Sequence, residues 1–249
     1  MFASTTTDVF EILVQRRLRA PLSVLDGQTR SRTLNKNVDM YGDMHQNLKA
    51  HGTRHNQPLK KLLNMFRAVY GRSVRMEDKT HGVYSPGVQP DLTHFKGAKD
   101  GTHHVLYELK VVNPCSSDDA GTGALGGAVA FGNTADGLYN DILGKPATAR
   151  ADRVPGAYDA ALRKGHTVIP IVIEVFGGIH ADGLQAINGL CSKHGARLGA
   201  DELSAPWCAR SFRSIHAQRL SIAMHVAAAE EILDTVLLDG AMAAQTNAA

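Results

Sequence analysis

The sequence has few of the features that mark membrane-spanning or disulfide-bonded proteins. It contains no uninterrupted apolar run of about eighteen residues, so we expect no transmembrane helix. Its three cysteines, Cys115, Cys191 and Cys208, are widely spaced and odd in number. This pattern does not suit a disulfide framework and favours an intracellular, reducing compartment such as the cytoplasm or nucleus.

Motifs of several enzyme and metal-binding classes are also missing. There is no C-x-x-C pair, although His51-x-x-x-His55 and Cys191-x-x-His194 each offer half of a zinc-like spacing. No P-loop and no G-x-S-x-G elbow occur. A structural zinc site, a P-loop nucleotidase and a serine hydrolase of the elbow type are therefore disfavoured.

The composition is that of a globular chain with an uneven charge. Of 249 residues, 43% are hydrophobic and 20% are charged, which is enough for one good-sized core with terminal extensions. Residues 1–75 carry 13 Lys and Arg against 5 Asp and Glu, while the remainder is net acidic. A basic N-terminal third favours a phosphodiester partner, although solvated helix faces are also commonly basic.

Residues 88–112 carry the most informative pattern. Two short strand-like runs flank a turn at residues 97–101, which predicts a β-hairpin. Side chains alternate along a strand, so Glu108 and Lys110 share one face of the second run with Leu106 and Val112. Asp91, at the start of the first run, is expected to come alongside them.

Two carboxylates and a lysine on neighbouring strands form a chemical arrangement. Asp91 and Glu108 would repel each other unless they held a hard cation such as Mg²⁺, which prefers oxygen ligands. The backbone carbonyl of Leu109 could supply a further oxygen. Lys110 would orient a water molecule or stabilise developing negative charge. The alternative is a surface hairpin with an ordinary cross-strand charge pair.

Pro90-Asp91 followed by Glu108-x-Lys110 resembles the signature of the PD-(D/E)xK nuclease superfamily. The resemblance covers roughly residues 56–180 and implies the restriction-endonuclease-like fold: helix, three antiparallel strands, helix, further strand. It implies that Asp91, Glu108 and the Leu109 carbonyl bind Mg²⁺ or Mn²⁺, that Lys110 assists hydrolysis, and that DNA is the partner. Relatives often place another acid on the first helix; Glu77 or Asp78 could replace it, or the site has fewer ligands.

The order of the predicted elements is similar to the restriction-endonuclease-like core, and the resemblance therefore implies an α/β protein with a small mixed sheet flanked by helices, extended by helices at both ends. The predicted core consists of a helix at 57–70, a strand at 73–78, the hairpin at 88–112, a helix at 150–164 and a strand at 166–176. Further helices are predicted at 7–19, 181–198 and 210–238, a short one at 134–143, and a disordered tail at 240–249.

These elements divide the chain into a basic N-terminal extension (1–55), a nuclease-like core (56–200) and a C-terminal helix with its tail (201–249). The core includes a Gly/Ala-rich insertion at 113–148. Candidate nucleic-acid contacts are Lys60, Lys61, Arg150, Arg153 and Tyr158. For Tyr158, a half-buried core aromatic is the competing interpretation.

The leading hypothesis is a Mg²⁺-dependent nuclease acting on DNA. One alternative is a nucleic-acid-binding module that keeps the fold without catalysis. Another is an interaction protein that forms homo-oligomers through its C-terminal helix.

Overall fold

A four-stranded mixed sheet with helices on both faces organises the chain. The computed structural model describes residues 2–47, 52–77, 88–95, 103–113, 135–147, 152–195 and 211–247. The strands are β1 (Arg30–Ser31), β2 (Lys36–Asn37), β3 (Val74–Met76), β4 (Leu92–His94), β5 (Val105–Val112) and β6 (Thr167–Glu174). The helices are α1 (Phe2–Arg17), α2 (Gly52–Tyr70), α3 (135–143), α4 (Asp159–Arg163), α5 (Ala181–His194) and α6 (Phe212–Asn247).

The sheet has the order β3-β4-β5-β6. The pairs β3–β4 and β4–β5 are antiparallel, whereas β5 and β6 run parallel. Leu92 lies opposite Tyr107, which confirms the predicted hairpin pairing. The predicted turn at 97–101 lies outside the described residues.

The two faces of β5 pack against different layers. Val105, Tyr107 and Leu109 contribute to the main core, together with side chains from α2, α5 and α6. Leu106 packs in a second cluster with Ile142 of α3 and with Tyr158. The predicted alternation is therefore confirmed, and the chain is an α/β protein whose small mixed sheet is flanked by helices.

Helix α2 begins earlier than predicted. It starts at Gly52, so that Pro58 lies inside the helix and not in its first turn. A proline removes one backbone hydrogen bond to the preceding turn. Side chains of α6 hold this turn: Arg54 pairs with Glu231 at 3.5 Å, and Gln57 donates to Glu230 at 2.5 Å.

The helix predicted at 150–164, with a break at Pro155 and its firm part from Tyr158 to Lys164, is confirmed in that firm part and is wrong over residues 152–156. Only Asp159–Arg163 is helical, preceded by a turn at residues 157–158. Within residues 152–156, Val154 pairs with Lys145 in an isolated β-bridge. Proline restricts its predecessor to extended conformations, so Pro155 favours this bridge over a helix at Val154.

The predicted disordered tail is also wrong over residues 240–247, because α6 continues to Asn247. The N-terminal extension anchors this end: Thr33 donates twice to Asp239, and Arg32 donates to the carbonyl oxygen of Met242 at 3.4 Å. Helix α1 likewise begins at Phe2 and not near residue 7.

Part of the apolar surface of α6 is exposed. Ile222 and Leu237 retain 41% and 58% of their surface, whereas the buried side includes Ala228, Ala229 and Ile232. Ile12, Leu22 and Leu25 of the N-terminal extension pack against that buried side. Homo-oligomerisation through α6 remains a prediction.

Among the described residues, no helix is long and apolar enough to span a lipid bilayer.

Candidate active site

Asp91 sits where β4 begins, next to the middle of β5. Leu92 of β4 is paired with Tyr107 of β5. If this register is extended by one residue, Asp91 lies opposite Glu108. Asp91 is 9% exposed, and its Oδ2 accepts a hydrogen bond from the backbone N–H of Leu109 at 2.7 Å. Leu109 is the residue between Glu108 and Lys110.

The hydrogen bond from Leu109 to Asp91 also indicates the direction of the Leu109 carbonyl group. Within a strand, the N–H and C=O of one residue point to the same edge. Because the N–H of Leu109 reaches Asp91, its carbonyl oxygen also points to the β4 side of β5. There β4 has not yet begun, so no β4 partner is paired with it.

Glu108 is held at both carboxylate oxygens. Lys110 Nζ donates to Oε1 at 2.6 Å, and the Tyr158 hydroxyl donates to Oε2 at 2.5 Å. The Glu108 side chain is 12% exposed, while that of Lys110 is 39% exposed. The acid is therefore oriented by two donors, and the lysine keeps access to solvent.

The sequence did not identify His55 as a neighbour of Asp91. Its Nε2 lies 3.2 Å from Asp91 Oδ2, and the hydrogen bond with Asp91 raises the pKa of His55 above its ordinary value, against the opposing effect of burial. His55 is in the first turn of α2, on the helix where an additional acid was sought. Its only sequence signal was the spacing to His51, which lies outside the described residues.

Of the two acids considered as substitutes, only Glu77 lies among the described residues, and its side chain has no contact with Asp91 or Glu108 there. Glu77 is exposed, and only its backbone N–H reaches Asp91, donating to the Asp91 carbonyl oxygen at 3.0 Å. Asp78 lies outside the described residues.

The donor set suits a magnesium ion better than a fully protein-enclosed metal. Among the described residues, no group of three or more His, Cys, Asp or Glu side chains could hold an ion. Mg²⁺, however, is commonly bound by one or two carboxylates together with waters and substrate phosphates. Asp91, Glu108 and the Leu109 carbonyl fit that pattern. Both contacts of the Asp91 carboxylate described above use Oδ2, so Oδ1 is the oxygen offered to a cation.

The candidate nucleic-acid contacts are dispersed. Lys60 and Lys61 are exposed on α2, as predicted. Arg153 is half exposed and pairs with Asp159 at 3.2 Å. Arg150 lies outside the described residues. Tyr158 is only 3% exposed, which favours the competing interpretation as a core aromatic, and its hydroxyl orients Glu108.

A pocket of about 350 Å³ adjoins Glu108 and Lys110 on the α3 side of the sheet.

Comparison of the chain with protein-family models, curated proteins and solved structures gave no match. The chemistry of the site has to be worked out from its own side chains.

Proposed function

We propose that the protein is a nuclease that hydrolyses phosphodiester bonds in DNA with Mg²⁺, or alternatively Mn²⁺, as its metal. One observation carries the proposal: the Asp91 carboxylate is bonded to the backbone of the residue between Glu108 and Lys110. This brings the PD and E-x-K segments to one edge of β5. A mixed sheet between helices is compatible with a restriction-endonuclease-like core, which is part of the proposal.

Asp91, Glu108 and the Leu109 carbonyl would hold the metal ion. Bound there, the ion would lower the pKa of a coordinated water and offset negative charge on the phosphate. The β4–β5 register puts Asp91 opposite Glu108, and a divalent cation between their carboxylates would offset the repulsion of the two negative charges.

Lys110 and Tyr158 have separate tasks in this proposal. The Lys110 ammonium, at 2.6 Å from Glu108, is close enough to stabilise negative charge that develops on a phosphate bound beside that acid. Tyr158 orients Glu108 through its hydroxyl and remains buried in the protein. Lys60 and Lys61 would contact phosphates outside the site.

The test is cleavage of linear and circular DNA with Mg²⁺, with Mn²⁺ and with EDTA. We expect metal-dependent cleavage by the wild-type protein and at least a 100-fold loss in Asp91→Asn and Lys110→Ala. Lys193→Ala, which removes an exposed lysine from α5, is the matched control and should retain activity. Full activity in Asp91→Asn with unchanged metal dependence would refute the assignment.

A second candidate is a DNA-binding module without catalysis. It is favoured because the acids of the site already have hydrogen-bond or ion-pair partners within the chain. Lys110 and Tyr158 donate to the two carboxylate oxygens of Glu108, and His55 pairs with Asp91. This candidate predicts DNA binding that weakens steeply with salt, without metal-dependent cleavage. The same cleavage assay, combined with a salt titration of binding, separates the two.

A further inference from the structure

The pocket beside Glu108 is lined by both polar and apolar groups. Its polar lining consists of Gln89, Glu108, Lys110 and Asp141. Its apolar lining comes from Val88, Leu138, Ile142, Ala157 and Tyr158. Two of the proposed hydrolytic residues, Glu108 and Lys110, therefore line a concave, partly apolar site.

The size of the pocket limits what can enter. A volume of about 350 Å³ lies at the small end of the range for ligand pockets. It is large enough for one nucleobase with its sugar.

The charge of the lining limits the ligand as well. Two carboxylates, Glu108 and Asp141, face one ammonium, Lys110, so the pocket disfavours a second phosphate. A neutral, flat base would contact the apolar lining. The exposed Asp141 carboxylate and the Gln89 amide are placed to exchange hydrogen bonds with its edge.

We propose that this pocket receives an unpaired base next to the scissile phosphate, so that the preferred substrate is single-stranded or locally unpaired DNA. The inference rests on the proposed nuclease function. In a duplex, the phosphates lie outside and the bases are stacked inside. A base can enter a pocket behind the phosphate site only after unstacking, which costs a few kcal/mol in a paired duplex and least in a single strand.

The first experiment compares cleavage of one labelled sequence as a single strand, as a duplex and as a duplex with a central mismatch, at saturating Mg²⁺. We expect the single strand to be cut at least tenfold faster than the duplex, with the mismatched duplex between them. Ala157→Trp fills the pocket from an exposed position and should reduce single-strand cleavage at least tenfold. Ala244→Trp, the same change at an exposed position of α6, should leave it unchanged.

Equal rates on single-stranded and duplex DNA, or full single-strand activity in Ala157→Trp, would overturn the inference while leaving the nuclease proposal intact.

A binding experiment separates the two proposals if no DNA is cut. An oligonucleotide containing 2-aminopurine is titrated with wild-type protein and with Ala157→Trp, with Ca²⁺ in place of Mg²⁺. A change in 2-aminopurine emission with the wild type that is lost in Ala157→Trp supports the pocket even if hydrolysis is refuted. An unchanged emission with the wild type overturns the pocket assignment.

Discussion

The carboxylate of Asp91 accepts a hydrogen bond from the backbone N–H of Leu109 at 2.7 Å. This bond uses the backbone of Leu109 and not its side chain, which is buried in the main core. The site is therefore fixed by the register of the β4–β5 pair. A slip of one residue would move Glu108 and Lys110 to the opposite face of the sheet.

Tyr158→Phe tests the orientation of Glu108. The substitution keeps the ring in its cluster and removes the 2.5 Å hydrogen bond to Glu108 Oε2. We expect a loss of about 10-fold to 100-fold in metal affinity or activity, as is typical for groups that orient a metal ligand. The stability should fall by about 1–3 kcal/mol, because the acceptor is charged. Isothermal titration with Mn²⁺ and urea unfolding measure the two effects.

Tyr139→Phe is the matched control. The Tyr139 hydroxyl donates to the carbonyl oxygen of Pro170, the β6 neighbour of Glu108, at 2.9 Å and makes no hydrogen bond to the Glu108 carboxylate. This variant should lose some stability and keep its metal affinity. If both tyrosine variants lost metal affinity equally, Tyr158 would have no particular role in positioning Glu108.

Gly156→Ala tests whether the close backbone packing at Gly156 positions Tyr158 beside Glu108. A Cβ at Gly156 would collide with the carbonyl group of Ile142 and the backbone nitrogen of Gly144, so this close approach requires glycine. The backbone N–H of Tyr158 donates to the same Ile142 carbonyl oxygen at 3.1 Å. We expect Gly156→Ala to cost about 1–3 kcal/mol of stability, the range for overpacking, and to lower metal affinity as well.

Gly137→Ala provides the contrast for this substitution. Gly137 lies within α3, and a Cβ there would meet no atom within 4 Å. Alanine should be neutral or stabilise the protein by up to about 1 kcal/mol, because glycine is unfavourable in helices. A neutral Gly156→Ala in urea unfolding would contradict the close packing of this turn.

His55→Gln tests whether a cationic neighbour competes with metal for Asp91. His55 Nε2 lies 3.2 Å from Asp91 Oδ2, and a positive charge there opposes binding of a divalent cation. We expect the variant to bind Mn²⁺ about fivefold more tightly, which corresponds to ~1 kcal/mol, the interaction of two unit charges about 4 Å apart when solvent screens them as in bulk water. His103→Gln, at an exposed histidine that contacts Gly165, is the control. Weaker metal binding in His55→Gln would instead make His55 a support or ligand.

The hairpin could be predicted from sequence because strand alternation is a local property. The two faces of β5 follow from residues 105–112 alone, and Glu108 and Lys110 lie on the predicted face. His55 and Tyr158 could not be assigned in the same way. His55 is 36 residues from Asp91 in the sequence, and Tyr158 is 50 residues from Glu108. Their contacts depend on how α2 and the turn before α4 pack against the sheet.

The helix ends were predicted poorly for a related reason. The predicted start of one helix at residue 57 and the predicted end of another at residue 238 are boundaries that tertiary contacts override. The first turn of α2 is held by Glu230 and Glu231 of α6, and the last turns of α6 are held by the N-terminal extension. Packing of an amphipathic helix generally contributes more than propensity to its stability.

The buried pair of Arg54 and Glu231 gives a prediction for pH dependence. Glu231 is 7% exposed, and burial raises the pKa of its carboxyl from 4.5 to about 7, against the opposing effect of Arg54 and Arg16. Between these two pH values the folded chain retains a proton that the unfolded chain has released. The free energy of unfolding therefore decreases as pH rises from about 4.5 to 7, by up to about 3 kcal/mol from this group.

Glu231→Gln should remove this contribution, because glutamine resembles the protonated acid at every pH. Urea unfolding at pH 5, 6, 7 and 8 should show wild type losing stability relative to Glu231→Gln up to about pH 7, and no further change above it. Glu11→Gln, at an exposed position of α1, should not alter the wild-type slope between pH 5 and 7. A constant difference between wild type and Glu231→Gln across this range would mean that Glu231 is already ionised in the folded protein at pH 5. The first turn of α2 would then be held by a buried ion pair throughout.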